Sequence, residues 1–70
     1  MFPLQLAEPG KSYRILKVGG GDLVRHHLAE MGFIGGEEIT LVNLNNGGAI
    51  VNVKNVRVAL NEDLVKRIMV

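Results

Sequence analysis

The sequence of 70 residues has no cysteine and no tryptophan, and its only aromatic residues are Phe2, Tyr13 and Phe33. Without cysteine, the chain cannot form a disulfide or hold zinc or an iron–sulfur cluster through thiolates. Three aromatic side chains are too few for a surface on which nucleic-acid bases stack. Because a chain without disulfides suits a reducing compartment, we expect a cytoplasmic protein.

Neither sign of charge dominates the chain. Eight Lys and Arg residues stand against seven Asp and Glu residues, for a formal net charge of +1, and the two signs are interspersed. A nucleic-acid-binding protein usually has a basic stripe or patch, and this sequence has none. We therefore expect no nucleic-acid partner.

Long apolar runs are absent as well. No stretch approaches the roughly 18 apolar residues of a membrane-spanning helix. The N-terminal segment MFPLQLAEPG has neither the basic start nor the continuous apolar region of a signal peptide. We therefore expect a protein that is not inserted in a membrane.

The sequence does contain many apolar residues, 47% of the total, in short segments separated by glycine and proline. The segment NNGG at 45–48 predicts a hairpin. A two-residue turn at Lys54 and Asn55 is predicted because it places the apolar residues on both sides of the turn on one face. The segments predicted to be strands are 12–18, 37–44, 49–53, 56–60 and 67–70.

One segment has the spacing of an amphipathic helix. Asp22 is predicted to cap a helix over 23–31, in which four apolar residues fall within an arc of about 140°. Gly32 follows at the position where a left-handed cap is favoured, so we expect a positive φ there and a contact between Phe33 and Leu28. The four residues of the arc are Leu23, Val24, Leu28 and Met31.

These elements predict a single domain over residues 1–70. An extended lead-in over 3–10 comes first, and a short helical turn over 61–66, capped by Asn61, precedes the last strand. Five short strands with tight turns favour a small barrel, because closure removes exposed strand edges. The predicted fold class is mainly β: a five-stranded barrel with one inserted α-helix and a helical turn near the C-terminus.

An ordered set of segments covers nearly the whole chain. A leucine-rich lead-in ends at Gly10, a strand with Ile15 follows, and a helix ends with the spacing Leu28-x-x-x-Gly32 before another glycine, Gly36. The segments are LQLAEPGKSYRILKV, HLAEMGFIGGEEITLV, VNVKNVRVAL and IMV. In order and spacing they resemble the FeoA family of ferrous-iron transport proteins.

The resemblance implies an SH3-like barrel with an inserted helix, in agreement with the predicted order of elements. The sequence departs from the family at two turns. Gly35 stands where the family often has proline, and Asn55 stands where it often has glycine. Both residues tolerate turn geometry, and the absence of proline is expected to loosen the loop at 33–36.

The resemblance also implies a function. FeoA proteins are understood as small cytosolic accessories or regulators of ferrous-iron uptake that dock on a large membrane transporter carrying a GTP-binding domain. The small protein is not itself a pore or a GTPase. We therefore expect that membrane iron transporter as the partner.

A second function class shares this barrel. It occurs as the C-terminal domain of iron- or manganese-dependent transcriptional repressors, which would make the chain a metal-responsive regulatory module. Such a regulator needs a DNA-binding domain upstream. The sequence begins with Met and contains no such domain, which favours the transport accessory.

A metal site is the first alternative to a docking role. His26 and Glu30 are four residues apart on one side of the predicted helix, and histidine with carboxylate is a ligand set that suits ferrous iron. Two protein ligands do not make a site, and His27 points away, towards the edge of the core. We expect no resident cofactor or metal, and only weak transition-metal binding.

The sequence offers little for catalysis. The segment GGGD at 19–22 matches neither the P-loop nor the dinucleotide-binding pattern. Ser12 is the only serine, Thr40 is the only threonine, and cysteine is absent. We expect no enzyme activity and no catalytic residues.

Surface recognition is the remaining function. Val42 and Leu44 have the opposite parity to Ile39 and Leu41 in the second predicted strand, so one pair would be exposed unless a bulge turns it inward. The alternative is that all four residues belong to the core or its rim. The residues that we predict to contact a partner are Arg25, Phe33, Val42 and Leu44, in a protein expected to be a monomer.

Overall fold

A computed structural model describes the whole chain, residues 1–70. It contains a 3-10 helix at Leu4–Leu6, two α-helices and six strands. The helices are α1 (Asp22–Glu30) and α2 (Glu62–Val65). The strands are β1 (Ser12–Arg14), β2 (Lys17–Val18), β3 (Glu38–Asn45), β4 (Gly48–Val53), β5 (Val56–Leu60) and β6 (Ile68–Met69).

The strands form two antiparallel sheets, one with the order β1-β3-β4-β5 and the other with β2 beside β6. The single strand predicted at 12–18 is two strands, because the chain changes sheets between Ile15 and Leu16. The N–H of Ile15 donates to Glu37 at 2.9 Å, and the N–H of Leu16 donates to Met69 at 2.8 Å. The mainly β class is confirmed, with six strands in two sheets in place of the five strands predicted for a closed barrel.

The turn predicted at Lys54 and Asn55 is confirmed. Both residues have positive φ, 51° and 64°, as a two-residue hairpin turn requires. Val53 then pairs with Val56, and Val51 with Val58, so the apolar residues of β4 and β5 share one face. Val56 lies at the end of that face and is 58% exposed.

A β-bulge interrupts the hairpin of β3 and β4. Leu41 pairs with Val51 and Asn43 pairs with Ile50, which leaves Val42 as the extra residue. The extra residue changes the parity of the strand, so that Leu44 lies opposite the buried Ala49. Val42 is therefore half-buried, and Leu44 lies at the rim of the core face.

The start of α1 differs from the prediction. Gly21, not Asp22, is the N-cap residue, and it makes no side-chain hydrogen bond. Asp22 is the first helical residue, and its carboxylate binds Arg25 at 2.9 Å. The predicted apolar arc is also wrong in one member, because Leu23 is 87% exposed while Leu28 is fully buried.

The end of α1 is as predicted. Gly32 has φ 98°, its N–H donates to Ala29 at 2.9 Å, and the N–H of Phe33 donates to Leu28 at 2.9 Å. These two bonds are the pair that closes a helix through a left-handed residue. They turn the chain so that Phe33 and Leu28 both lie in the core cluster.

The two ends of the chain are packed together. The predicted extended lead-in is instead the 3-10 helix, which buries Leu4, and Phe2 exchanges two backbone hydrogen bonds of 2.8 Å with Val70. Asn61 caps α2 as predicted, because its side chain accepts a hydrogen bond of 2.9 Å from the N–H of Leu64. The core cluster contains 14 residues, all of them apolar, and no polar or charged residue is buried.

We expect Gly32→Ala to lower the free energy of unfolding by about 1–2 kcal/mol, because a side chain strains the left-handed conformation. A Cβ at this position would also lie 3.3 Å from Cγ2 of Val53. Gly35→Ala is the control, since Gly35 has no positive φ and a Cβ there makes only an ordinary 3.8 Å contact. Urea unfolding measures both variants, and equal stabilities would contradict the capping argument.

We expect Leu28→Ala to lower the free energy of unfolding by about 2–5 kcal/mol, because it opens a cavity where α1 meets the sheets. Leu23→Ala is the matched control on the same helix, since Leu23 is 87% exposed. The control should change stability by no more than about 0.5 kcal/mol. Thermal and urea unfolding test this, and a comparable loss in both variants would show that α1 is packed differently.

Candidate interaction surface

The outward face of α1 is the first candidate for recognition. Leu28 is the only buried residue of this helix, so most of its circumference faces solvent. A shallow depression of about 550 Å³ runs along this face. We call it the α1 surface; it is lined by Asp22, Leu23, Arg25, His26 and Ala29.

Two ion pairs lie on this helix. Arg25 binds Asp22 at 2.9 Å, and Nε2 of His26 lies 3.1 Å from Oε1 of Glu30, an ion pair when the imidazole is protonated. All four side chains are more than half exposed. Because exposed pairs of this kind contribute little to stability, a partner can exchange them for its own charges at small cost.

Leu23 is the apolar residue of the α1 surface. A single exposed leucine is ordinary on a protein surface. Here, however, Leu23 is 87% exposed and borders a depression that also contains Arg25. An exposed apolar side chain beside an arginine is the combination that binding anchors commonly use.

The four residues predicted to contact a partner have different environments. Arg25 is on the α1 surface, with 55% of its side chain exposed. Leu44 is 37% exposed and Val42 is half-buried at the bulge of β3. Phe33 is 1% exposed, so its side chain belongs to the core and is not available to a partner.

The structure does not join these candidates into one site. No hydrogen bond or ion pair connects Arg25 on α1 with Val42 or Leu44 on β3. The side chain of Arg25 binds only its helix neighbour Asp22. The α1 surface and the rim at Leu44 are therefore treated as separate candidates.

Sequence reasoning missed two further exposed apolar residues, Leu16 at 57% and Ile34 at 46%. The loop that contains Ile34 lies against the Ile15–Leu16 segment, since the N–H of Gly36 donates to Ile15 at 2.8 Å. One signal was present in the sequence. Ile15 and Leu16 are adjacent in a strand-like segment, so only one of them can face the core.

The two metal candidates of the sequence, His26 and Glu30, lie side by side on α1. His26 and Glu30 bind each other, and His27 is exposed rather than at the rim of the core. No group of three or more His, Cys, Asp or Glu side chains is close enough to hold an ion. Within this chain, His26 and Glu30 are therefore the two ligands available to an ion at this position.

The largest concavity lies on the outer face of the four-stranded sheet. It measures about 690 Å³, and all its lining residues are polar or charged. Lys54 and Glu37 pair across its edge at 3.5 Å, and the hydroxyls of Ser12 and Thr40 are 2.8 Å apart nearby. No nucleophile is paired with a base here, so the geometry gives no catalytic arrangement.

The pKa of one titratable group, Lys11, is shifted from its ordinary value. The hydrogen bond from Lys11 to Glu8, and then the charge of that carboxylate, raise the pKa of Lys11. Both side chains are exposed, at 62% and 69%, and neither lines the α1 surface. This shift therefore has no bearing on the candidate surfaces.

No helix of this chain has the length and apolar content to cross a membrane.

The fold defines a class of protein: the arrangement is that of small SH3-like domains. The zinc-complexed FeoA of Stenotrophomonas maltophilia, described as a procaryotic SH3 domain protein, superposes with a TM-score of 0.82 at 25% identity. That comparison covers 99% of this chain and 88% of the other.

The family follows from the sequence. The model of the FeoA domain matches residues 2–70, and the chain belongs to this family of ferrous-iron transport proteins. The putative Fe(2+) transport protein A of Methanocaldococcus jannaschii is 29% identical over 100% of this chain and 85% of its own length. A crystal structure of the iron uptake regulatory protein FeoA has a TM-score of 0.87 at 31% identity, over 96% of this chain and 91% of that one.

Metal-dependent repressors contain a similar fold. A manganese-dependent transcriptional repressor superposes with a TM-score of 0.85 at 13% identity, over 94% of this chain and 38% of the repressor. At that identity the likeness concerns the fold alone. It shows that the same architecture serves as one part of larger regulators.

We predict that the isolated protein does not bind Fe(II) one-to-one at micromolar or tighter affinity, because His26 and Glu30 supply only two ligands and already bind each other. Anaerobic calorimetry with Fe(II) measures this. His26→Ala is compared with His27→Ala, which removes an exposed imidazole without a carboxylate partner. Tight binding that His26→Ala abolishes and His27→Ala preserves would refute the prediction.

Proposed function

We propose that this protein is a cytoplasmic accessory of ferrous-iron uptake that acts by docking on a membrane iron transporter carrying a GTP-binding domain. Its membership of the FeoA family is the observation that carries the proposal. In this role the protein contributes a binding surface and performs no catalysis. Iron is the cargo of the transporter, not a ligand that this protein has to hold.

The surface chemistry supports a protein partner. The net charge of +1 gives no general attraction to nucleic acid or anionic lipid. The α1 surface instead combines an exposed apolar side chain, Leu23, with a cationic one, Arg25. A domain of this size offers about 600–800 Å² to a partner, which is in the range of transient complexes.

The contact is proposed to centre on the α1 surface. Leu23 supplies an apolar anchor, and Arg25 supplies a guanidinium that can leave Asp22 for a carboxylate of the transporter. Leu44, at the rim of β3, is the remaining exposed member of the sequence-based set. Phe33 is replaced by Leu23 because Phe33 is buried.

The alternative function is a metal-responsive regulatory module. The fold likeness to a manganese-dependent repressor is the observation that favours it. The two functions differ in what the surface recognises: the transport accessory binds a transporter domain, whereas the regulatory module responds to a metal ion. Titrations with the transporter domain and with Fe(II) therefore separate them.

We expect the cytosolic GTP-binding domain of the transporter to shift amide resonances of the ¹⁵N-labelled protein along α1, with and without guanine nucleotide. Leu23→Ala together with Arg25→Glu should weaken binding at least tenfold, since both proposed anchors are lost. The matched control combines Leu6→Ala with Lys66→Glu, because Leu6 is 70% exposed in the 3-10 helix and Lys66 is an exposed cation at the C-cap of α2.

Leu44→Ala locates the contact. Shifts confined to β3 and a loss of binding in this variant would move the docking surface to the rim at Leu44. No shifts at about 100 μM transporter domain, in either nucleotide state, would contradict the docking proposal, because transient complexes of this size are detectable at that concentration.

A further inference from the structure

Strand β5 is an edge of the four-stranded sheet. Residues of antiparallel strands alternate between those that face the neighbouring strand with their N–H and C=O and those that face away. Val53 and Val56 flank the two-residue turn and form a hydrogen-bonded pair, so Val58 faces β4 as well. Arg57 and Ala59 therefore direct their backbone N–H and C=O outward, away from the sheet.

These outward groups have no partner within the chain. Neither Arg57 nor Ala59 takes part in any backbone hydrogen bond outside the ladders, and the one side-chain bond of Arg57 comes from its guanidinium. Natural edge strands usually block pairing with proline, a bulge or several charges. Strand β5 has an unbroken register, no proline, and Arg57 as its one charged residue.

The space beside this edge is open and partly apolar. A groove of about 360 Å³ lies between the end of α1 and the inner side of β5. Ala29 of α1 and Met31 at the C-cap of that helix line it on one side, and Val56 and Val58 line it from the strand. Val56 is 58% exposed. An added strand would therefore find both hydrogen-bonding groups and room for its inward side chains.

We propose that β5 pairs antiparallel with β5 of a second copy of this chain, about a two-fold axis at Val58. Arg57 then lies opposite Ala59 of the second copy, and Ala59 lies opposite Arg57 of the second copy. Each of these residues donates one hydrogen bond and accepts one, so every outward group of both edges finds a partner. The four-stranded sheets of the two copies become one continuous sheet.

The sequence of β5 favours a second copy in this register. Arg57 faces the small, neutral Ala59 of the second copy, whereas a register centred on Arg57 would place two like charges opposite each other, which is unfavourable. A register centred on Ala59 would leave Arg57 opposite Asn61, which lies outside the strand and caps α2. With the axis at Val58, the two Val58 side chains meet as a close β-branched pair.

The dimer should be weak. One strand edge on each side buries less than the ~1,200–2,000 Å² of a standard stable interface. A dissociation constant on the order of 100 μM follows for such a contact. This inference replaces the monomer expected from the sequence, and it is independent of the docking proposal because it uses β5 rather than the outer face of α1.

Ala59→Pro tests the hydrogen bonds. Proline removes an N–H that the folded monomer does not use, and edge strands tolerate it at such positions. Sedimentation velocity from about 20 μM to 1 mM should show the natural chain shifting from monomer to dimer and Ala59→Pro remaining monomeric. Amide spectra check that the variant is folded. A natural chain that stays monomeric up to 1 mM would overturn the proposal.

A charge exchange tests the register and does not depend on proline. Ala59→Lys places lysine opposite Arg57 twice per dimer and should raise the dimer Kd about tenfold at low ionic strength. Adding Arg57→Glu to that variant creates two opposite-charge pairs and should return the Kd to within about threefold of the natural value. Arg57→Glu alone faces Ala59 and should change the Kd less than about threefold.

The outcomes distinguish the occupants of the edge. A dimer unaffected by both Ala59 variants uses another surface, and the β5 proposal then fails. Failure of the double variant to restore dimerisation refutes the register. If the chain is monomeric but Ala59→Pro abolishes binding of the transporter domain, the edge belongs to the transporter and not to a second copy. Loss of transporter binding in the α1 variants leaves the β5 dimer unchanged.

Discussion

The closure of α1 at Gly32 is the local constraint on which the rest of the architecture depends. Two backbone hydrogen bonds, to Ala29 and Leu28, end the helix and need a left-handed residue at Gly32. A Cβ there would press on Val53, so the absence of a side chain also lets the helix end lie close to β4. The same turn brings Phe33 into the core and sends the following loop to Ile15.

Because of this closure, α1 is attached to the rest of the fold at its C-terminal end and along one side. Leu28 is its only buried residue, and it lies next to the turn that Gly32 makes. The rest of the helix is held by half-buried Val24 and Met31, which pack against the core cluster. The outward face of α1 is therefore not needed for packing. A surface that is not needed for packing can carry a leucine and an arginine for recognition without loss of stability.

The parts of the fold that could be predicted are those set by local backbone chemistry. The left-handed cap at Gly32, the turn at Lys54 and Asn55, and the capping of α2 by Asn61 each depend on residues close together in sequence. Their geometry follows from which residues tolerate positive φ and which side chains reach a free N–H.

The parts that could not be predicted depend on distant partners. The segment 12–18 has the pattern of one strand. Ile15, however, bonds to Glu37 and Leu16 to Met69, so the two halves of the segment belong to different sheets. The exposure of Leu23 likewise depends on what lies opposite α1, which helical periodicity does not encode. The bulge at Val42 was an open alternative, since parity alone does not reveal where a strand takes an extra residue.

The residues predicted to contact a partner differ in how well the sequence indicates their exposure. Arg25 lies outside the predicted apolar arc of the helix, and its side chain is exposed in the structure, as that position predicts. Phe33 was chosen because it flanks the end of the helix, but the cap at Gly32 directs it inward. Cap geometry thus predicted the burial that the choice of Phe33 as a surface residue overlooked.

The two surfaces proposed for recognition are adjacent. Ala29 borders both the depression along α1 and the groove beside β5. A partner that covers α1 beyond Ala29 therefore approaches the position where a second copy would add its strand. Ligands that share a boundary influence each other's binding, and the influence is equal in both directions. With a dimer as weak as a single strand edge allows, a transporter contact of ordinary strength would be enough to set the proportion of monomer and dimer. If both proposals hold, occupancy of the α1 surface would then shift the proportion of monomer and dimer formed through the free edge of β5.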